Sequence, residues 1–402
     1  MKLNEVKKII FLVLMILTQF CHSEYPVVHS EDKLGIISLI KKLGISESNF
    51  SVTDRKQYTD TYSEYFIGDK RYAGKKNNNL SLIIYTDETE RVVGLDINRI
   101  DIDNLDEIST LSSLKVLDLA LTNIKDLKGL NRLKNLEYFK LSGTKYIKNL
   151  NYFKNMPKLM KVEASVLGQL NTNKMNRLPN LEEFLCGSCT ISDIEPFKEM
   201  KKLKVFKSGV IQKDISALSE LKQLEVLEIG GGNLADISAV NSMPKLKHLK
   251  VSDSSVKEIN LDGTTKDLEY VRIVDTPIKD LPAFHLFKQL KNLSITGTEI
   301  SVADSIYDLP KLERLVLARN LKLKTVKSPK NLPKLKELKA YNGGVDEFST
   351  GSLPNLEELT LSKTNITNLP PFHNYPNLRE LYLKETKIKS LKGVEVANNL
   401  YR

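Results

Sequence analysis

Residues 114–135 read LKVLDLALTNIKDLKGLNRLKN, and residues 356–377 read LEELTLSKTNITNLPPFHNYPN. Laid one over the other, their apolar positions coincide. Leu114, Leu117, Leu119, Ile124, Leu127, Leu130 and Leu133 fall on Leu356, Leu359, Leu361, Ile366, Leu369, Phe372 and Tyr375, and Thr122 falls on Thr364. First positions recur at Val92, Leu114, Leu136, Leu159, Leu181, Leu203, Leu224, Leu246, Leu268, Leu290, Leu312, Leu335, Leu356 and Leu378, fourteen units with steps of 21 to 23 residues. A unit of this size cannot bury its apolar face alone, so it stacks on its neighbours and the chain grows as a solenoid. A length of 402 residues, long for one compact domain, is then no constraint, because each coil needs only the coils beside it.

Inside each unit, L-x-x-L-x-L predicts a short strand whose leucines point inward and whose x positions point outward. Fourteen such strands stacked about 4.8 Å apart predict a parallel sheet of roughly 65 Å. The second half of the unit has a different period. Ile194, Phe197 and Met200, like Leu281, Phe284 and Phe287, stand three apart, the spacing of a 3₁₀ turn. Pro157, Pro179, Pro244, Pro310, Pro333, Pro354 and Pro376 lie just before the next strand, where they end the outer arm and favour extended backbone. The column Thr122, Thr144, Cys189, Thr276, Thr298, Asn320, Thr364 and Thr386 is structural: its polar side chains can satisfy backbone groups at the turn. The leucines are core, each worth about 1.5–3 kcal/mol when buried.

The motif L-x-x-L-x-L-x-x-T-x-I-x-x-L-x-x-L-x-x-L resembles the 22-residue class of leucine-rich repeats, which in bacteria includes the internalin-like surface proteins. The resemblance covers about residues 92–399. It implies an α/β solenoid, a horseshoe or arc with a parallel concave sheet, short 3₁₀-like or irregular convex arms, and a concave face that binds protein. The sequence departs from the internalin pattern after Leu391, where no immunoglobulin-like extension, sorting motif or membrane span follows.

Four segments are expected: 1–23 a signal peptide, 24–91 an N-terminal cap, 92–399 the repeats and 400–402 a tail. Lys2, Lys7 and Lys8 precede an apolar run from Ile9 to Leu17, the form of a secretory signal and too short to anchor a bilayer span. Two processing readings stand side by side. Cleavage after Ser23 frees Glu24, or Cys21 is lipidated as in bacterial lipoproteins, although Phe20 before it is bulky for such a site. In the cap, Ser30 can start a helix carrying Leu34, Ile36, Ile37, Leu39, Ile40 and Leu43, with Gly44 as its stop. The alternation from Leu80 to Tyr85 reads as a strand, and Lys75–Asn79 as a loop tip. A cap covers the apolar end that a solenoid otherwise exposes; a separate ligand-binding domain is the alternative.

Sixty basic and fifty acidic residues give +10, or about +8 without the first 23 residues, with both signs interspersed. A nucleic-acid binder concentrates its cations in a stripe, so no nucleic acid is expected. Three cysteines make no disulfide framework. Cys186 and Cys189 form one C-x-x-C with no second pair to complete a zinc site, and both occupy repeat positions, so they are expected to be buried and structural. No G-x-S-x-G, P-loop or H-E-x-x-H occurs. No enzyme, cofactor or metal is expected.

Binding information resides at the outward strand positions. The third position runs Val116, Tyr138, Lys161, Glu183, Val205, Val226, His248, Tyr270, Asn292, Arg314, Glu337, Glu358, Glu380, and the fifth includes Leu185, Lys207, Glu228, Lys250 and Arg272. Tyr138, Leu185, Val205, Val226, His248, Tyr270 and Arg272 are the candidate contact residues, because an apolar row ending in an aromatic and an arginine has the composition of an interface hot spot. The alternative is that sheets carry scattered exposed Val and Tyr with no partner. Glu337, Glu358 and Glu380 form a second row, with Lys336, Lys339 and Arg379 near enough to neutralise it; a calcium site needs more oxygen ligands. The expected function is an exported protein, at the outer cell surface, secreted or periplasmic, that binds a protein, a host protein included, or a glycan. Contact with a membrane is expected only through Cys21. The alternative is a cytosolic scaffold or enzyme regulator that retains residues 1–23.

Overall fold

The computed structural model describes residues 29–43, 50–53, 82–86 and 91–390, apart from 166–167, 176–177, 212–213, 328 and 369–371. The signal segment with Cys21, the helix stop at Gly44 and the Lys75–Asn79 tip lie outside them. The chain divides into two compact units, Met1–Cys189 and Thr190–Arg402.

Unit one contains helix α1 (Ser30–Leu43) and strands β1 (Phe50–Thr53), β2 (Leu82–Thr86), β3 (Val92–Asp96), β4 (Val116–Asp118), β5 (Tyr138–Lys140), β6 (Lys161–Glu163), β7 (Gly168–Leu170) and most of β8 (Glu183–Ile191). Strand β1 pairs parallel with β2, and β2 pairs antiparallel with β3. From there the pairing is parallel, in one register: Gly94, Val116, Tyr138, Lys161 and Glu183 face one another strand by strand. Glu31 and Asp32 in the first turn of α1, and Lys41 and Lys42 in its last, complement the helix dipole. The helix docks by burying Ile36 and Leu39 and by the buried carboxylate of Asp32. That carboxylate accepts hydrogen bonds from Val92 N (2.7 Å), Arg91 Nε (3.0 Å) and Arg91 Nη2 (3.1 Å). Such a charge is tolerated in the interior because an ion and its donors compensate it together.

The described residues of unit two form one parallel ladder of nine strands: β9 (Val205–Ile211), β10 (Val226–Gly230), β11 (His248–Ser252), β12 (Tyr270–Val274), β13 (Asn292–Thr296), β14 (Arg314–Val316), β16 (Glu337–Lys339), β18 (Glu358–Thr360) and β19 (Glu380–Tyr382). The short β15 (Thr325–Val326) and β17 (Glu347–Phe348) pair apart from it. The outer arms are 3₁₀ turns where the three-residue spacing predicts them, as at Glu195–Glu199 and Phe284–Leu286. The ladder leucines Leu227, Leu249, Leu293, Leu315, Leu338 and Leu359 are fully buried.

The polar column closes the turn in several coils. Thr122, Thr144 and Thr364 each donate Oγ1 to the carbonyl three residues back, at 2.8, 3.1 and 2.6 Å. Asn320 donates to Ile295 O (2.9 Å) and accepts from Thr298 N (2.9 Å). In four coils an asparagine just before the strand ties the coil to the one before it: Asn135, Asn180, Asn355 and Asn377 donate to Ser112, Pro157, Pro333 and Pro354 carbonyls, at 2.6 to 2.9 Å.

The residue just before the polar column is left-handed in coil after coil. Arg99, Leu121 and Gly143 in unit one have φ of 64°, 58° and 77°, and Asp253, Asp275, Gly297, Arg319, Asn342, Lys363 and Glu385 in unit two lie between 50° and 66°. This turn lets the amide reach the next coil one step beyond the strand: Leu121 N to Ser142 O (2.8 Å), Asp275 N to Thr296 O (2.9 Å), Lys363 N to Lys384 O (2.8 Å). Each such bond offsets the roughly 1–2 kcal/mol that a left-handed non-glycine residue costs. Lys363 is exposed, so changing it alters little besides the backbone. Lys363→Gly is expected to raise unfolding stability by about 0.5–1 kcal/mol and Lys363→Val to lower it, read from the denaturant midpoint at constant slope.

Candidate binding site

The outward strand positions behave differently in the two units. In unit one they are largely buried. Tyr138 is 0% exposed, its hydroxyl donates to Glu163 Oε2 (3.0 Å), and Lys161 Nζ stands over its ring at 5.5 Å. Reading Tyr138 as an exposed contact residue is therefore corrected: its position in the repeat is outward, but it is packed and hydrogen-bonded. Lys161 pairs with Glu183 at 3.0 Å and Lys140 with Asp118 at 3.3 Å. Leu185, at the fifth position of β8, is half-buried. Cys186 and Cys189 are buried, as expected, with Cα atoms 5.6 Å apart and their side chains next to one another.

Asp96 and Asp118 face each other across β3 and β4. Burial, reinforced by the charge of Asp118, pushes Asp96 up to about 6, and burial raises Asp118 as well. Between about pH 4 and pH 6 the folded form thus holds more protons than the unfolded chain, so stability falls as pH rises through that window. Asp96→Asn is expected to reduce this slope, leaving the part that the buried Asp118 contributes, and to stabilise the protein at pH 7 by on the order of 2 kcal/mol, measured by chemical unfolding at pH 4.5 and pH 7.

In unit two the same positions are half-buried or exposed, the buried Val316 apart. Val205, Val226, His248 and Tyr270 fall in one row, in register, with Lys207, Glu228, Lys250 and Arg272 in the row beside it. Val205, Val226 and His248 are half-buried, whereas Tyr270 is 42% exposed and Arg272 is exposed. The His248 and Tyr270 rings stack with centroids 5.8 Å apart and planes 28° apart. Glu228 faces two lysines and a histidine: Lys207 at 2.9 Å, His248 Nε2 at 3.7 Å and Lys250 at 4.0 Å. Burial pushes its carboxyl upward, but the Lys207 hydrogen bond and the surrounding positive charge outweigh this and hold it below its ordinary value. Arg272 has no ion pair among the described residues. The row is net positive there.

Neighbouring charges cancel instead. The second position alternates in sign, Lys204, Glu225, Lys247, Glu269, Lys291, Glu313, Lys336, Glu357, Arg379, with Glu225–Lys247 at 2.8 Å, Glu269–Lys291 at 2.6 Å and Glu357–Arg379 at 3.4 Å. Strand neighbours of opposite sign favour this register over a shifted one. Glu337 and Glu358 are neutralised by Lys339 (3.3 and 2.8 Å) and by Arg314 on Glu337 (3.4 Å). Lys339 was among the expected partners; Arg379 instead belongs to the alternating column, and Arg314 was missed because it lies in the preceding coil. Clefts near Asp193, Asp214 and Asp236 are explained by the fold: these carboxylates accept from Glu195 N, Ser216 N and Ser238 N at 2.7 to 2.9 Å, starting the 3₁₀ turns. Among the described residues no three His, Cys, Asp or Glu are grouped to hold a metal.

The family described as Leucine Rich repeats (2 copies) matches residues 354–395. The fold is the leucine-rich repeat solenoid. An internalin of Listeria monocytogenes, InlF, is similar at 18% identity and TM-score 0.58, over 78% of this chain and 86% of that one. A leucine-rich repeat protein of Leptospira interrogans is similar at 17% identity and TM-score 0.55, over 78% of this chain and 90% of that one. The plant peptide hormone receptor RGFR1, in complex with RGF2, is similar at 14% identity and TM-score 0.51, over 80% of this chain and 65% of that one. At these identities the leucine-rich repeat likeness speaks for the fold. No curated protein matches by sequence.

Proposed function

We propose that this leucine-rich repeat protein is an exported binding protein that recognises a polypeptide partner on the open side of the unit-two sheet. The observation that carries the reading is the juxtaposition of Tyr270 and Arg272, both exposed on one strand, the arginine without an ion pair among the described residues while the charges around it are compensated. Tyrosine and arginine are the residue types that concentrate binding energy at protein interfaces. Rigid strands hold the backbone of these two, so only side-chain order remains to be lost on binding. Val205, Val226 and His248 extend the surface as half-buried apolar and aromatic area; Leu185 belongs to the other unit and stays an untried candidate. Export rests on the sequence of Lys2, Lys7 and Lys8 followed by Ile9–Leu17, with Cys21 as the lipid-attachment residue if the mature N-terminus begins there; the intact mass of the N-terminal peptide from cells decides between the two forms.

The binding test is a selection of random twelve-residue peptides displayed on phage against the full chain. Peptides are expected to be enriched, and a synthetic copy is expected to bind Tyr270→Ala/Arg272→Ala at least about tenfold more weakly, with thermal unfolding unchanged because both side chains are exposed. No enrichment, or peptides that bind the double variant equally well, overturns the reading.

A further inference from the structure

A second exposed tyrosine lies on the same sheet. Tyr382, at the fifth position of β19, is 48% exposed, and its hydroxyl donates to Glu380 Oε2 at 2.8 Å on the same strand. The hydrogen bond to Glu380, and then its charge, raise the Tyr382 phenol above its ordinary value. Glu380 has no ion pair among the described residues. Unit two therefore carries two stations of opposite sign, each a tyrosine beside a charge with no ion pair among the described residues: Tyr270 with Arg272, and Tyr382 with Glu380.

What lies between them is neutral. From β12 to β19 the third positions are Asn292, Arg314, Glu337 and Glu358, and the fifth are Ser294, Val316, Lys339 and Thr360. The two cations and two carboxylates in that stretch neutralise one another. The stations are five strand spacings apart, about 24 Å along the sheet at about 4.8 Å each. An extended polypeptide advances about 3.3 Å per residue, so seven to eight residues connect them.

We propose that the partner is an extended acidic-to-basic polypeptide segment, with a carboxylate on Arg272 and Lys250 and, seven to eight residues away, a cation on Glu380, each beside a tyrosine that packs the adjoining side chain. This rests on the binding reading above and names the chemistry of its ligand. A nucleic acid carries one sign throughout and is repelled at Glu380; a neutral glycan leaves both charges uncompensated on desolvation, which costs more than it gains. A polypeptide with opposite charges at the matching separation satisfies both stations, and electrostatic fit of this kind sets orientation and partner choice.

Peptides selected from the random library supply the test. Their sequences are expected to share an acidic and a basic residue seven or eight apart, in one chain direction. A synthetic copy is expected to lose at least about tenfold in affinity with Arg272→Glu and with Glu380→Lys, and selection on the Arg272→Glu/Glu380→Lys double variant is expected to return the reversed order of charges. Peptides that depend on Tyr270 and Arg272 but carry no such spaced pair, or that are the same on the charge-swapped variant, overturn this proposal and leave the binding reading intact. A selection that enriches nothing overturns both. If Glu380→Lys lowers thermal stability, Glu380→Gln replaces it, and an undiminished affinity there counts against the proposal.

Discussion

Backbone hydrogen bonding between successive coils is the constraint on which the rest of this protein depends. Each strand of a coil finds its partners only in the coils beside it, and the left-handed residue after the strand extends that pairing by one more bond, as from Leu121 N to Ser142 O and from Lys363 N to Lys384 O. To keep those bonds, every coil must return to the same register after 21 to 23 residues. Side chains then line up in columns, and each column acquires a single physical task. Leucine columns exclude water. The Thr and Asn columns satisfy carbonyls that the turn leaves over. The asparagines before four of the strands hold one coil to the last.

The outward columns are where sequence is free to vary, and they divide by how their charges close. The second position of unit two closes on itself by alternation, Glu225 with Lys247 and Glu269 with Lys291. The Glu337–Lys339–Glu358 group closes with the help of Arg314. Among the described residues Arg272 and Glu380 do not close, and both stand beside exposed tyrosines. An ionised group left open on a sheet is well solvated and costs little, yet it can exchange water for a partner ion while the backbone that carries it stays in place. This contrast singles out the proposed surface more sharply than an inventory of exposed residues does.

Much of the fold was legible because leucine spacing reports directly on burial: a residue every two positions, then every three, distinguishes strand from 3₁₀ turn without reference to anything distant. The left-handed column was not legible. It holds Arg99, Leu121, Asp253 and Lys363, with glycine in only some coils, so residue type carries no common signal; its conformation is imposed by the bond to the next coil. The burial of Tyr138 was equally hidden, because an outward repeat position fixes the direction of a side chain but not what packs against it. For the site, the row from Val205 to Tyr270 was readable as a row, whereas which charges remain open required distances: Glu380 was read as one member of a neutralised triad and proves to be the member left over. The alternating column stood in the sequence in plain view, but its meaning depends on the in-register pairing that makes Glu225 and Lys247 neighbours.

The central claim is that binding occurs across the open side of the unit-two sheet, between its two tyrosine stations. Hydroxyl-radical footprinting of the full chain with and without a selected peptide tests it most directly, with the exposed Tyr146 of unit one as internal reference. The account predicts that Tyr270 and Tyr382 both lose reactivity in the complex while Tyr146 keeps its own. Protection of Tyr146, or a complex in which Tyr270 and Tyr382 react as they do in the free protein, would contradict it.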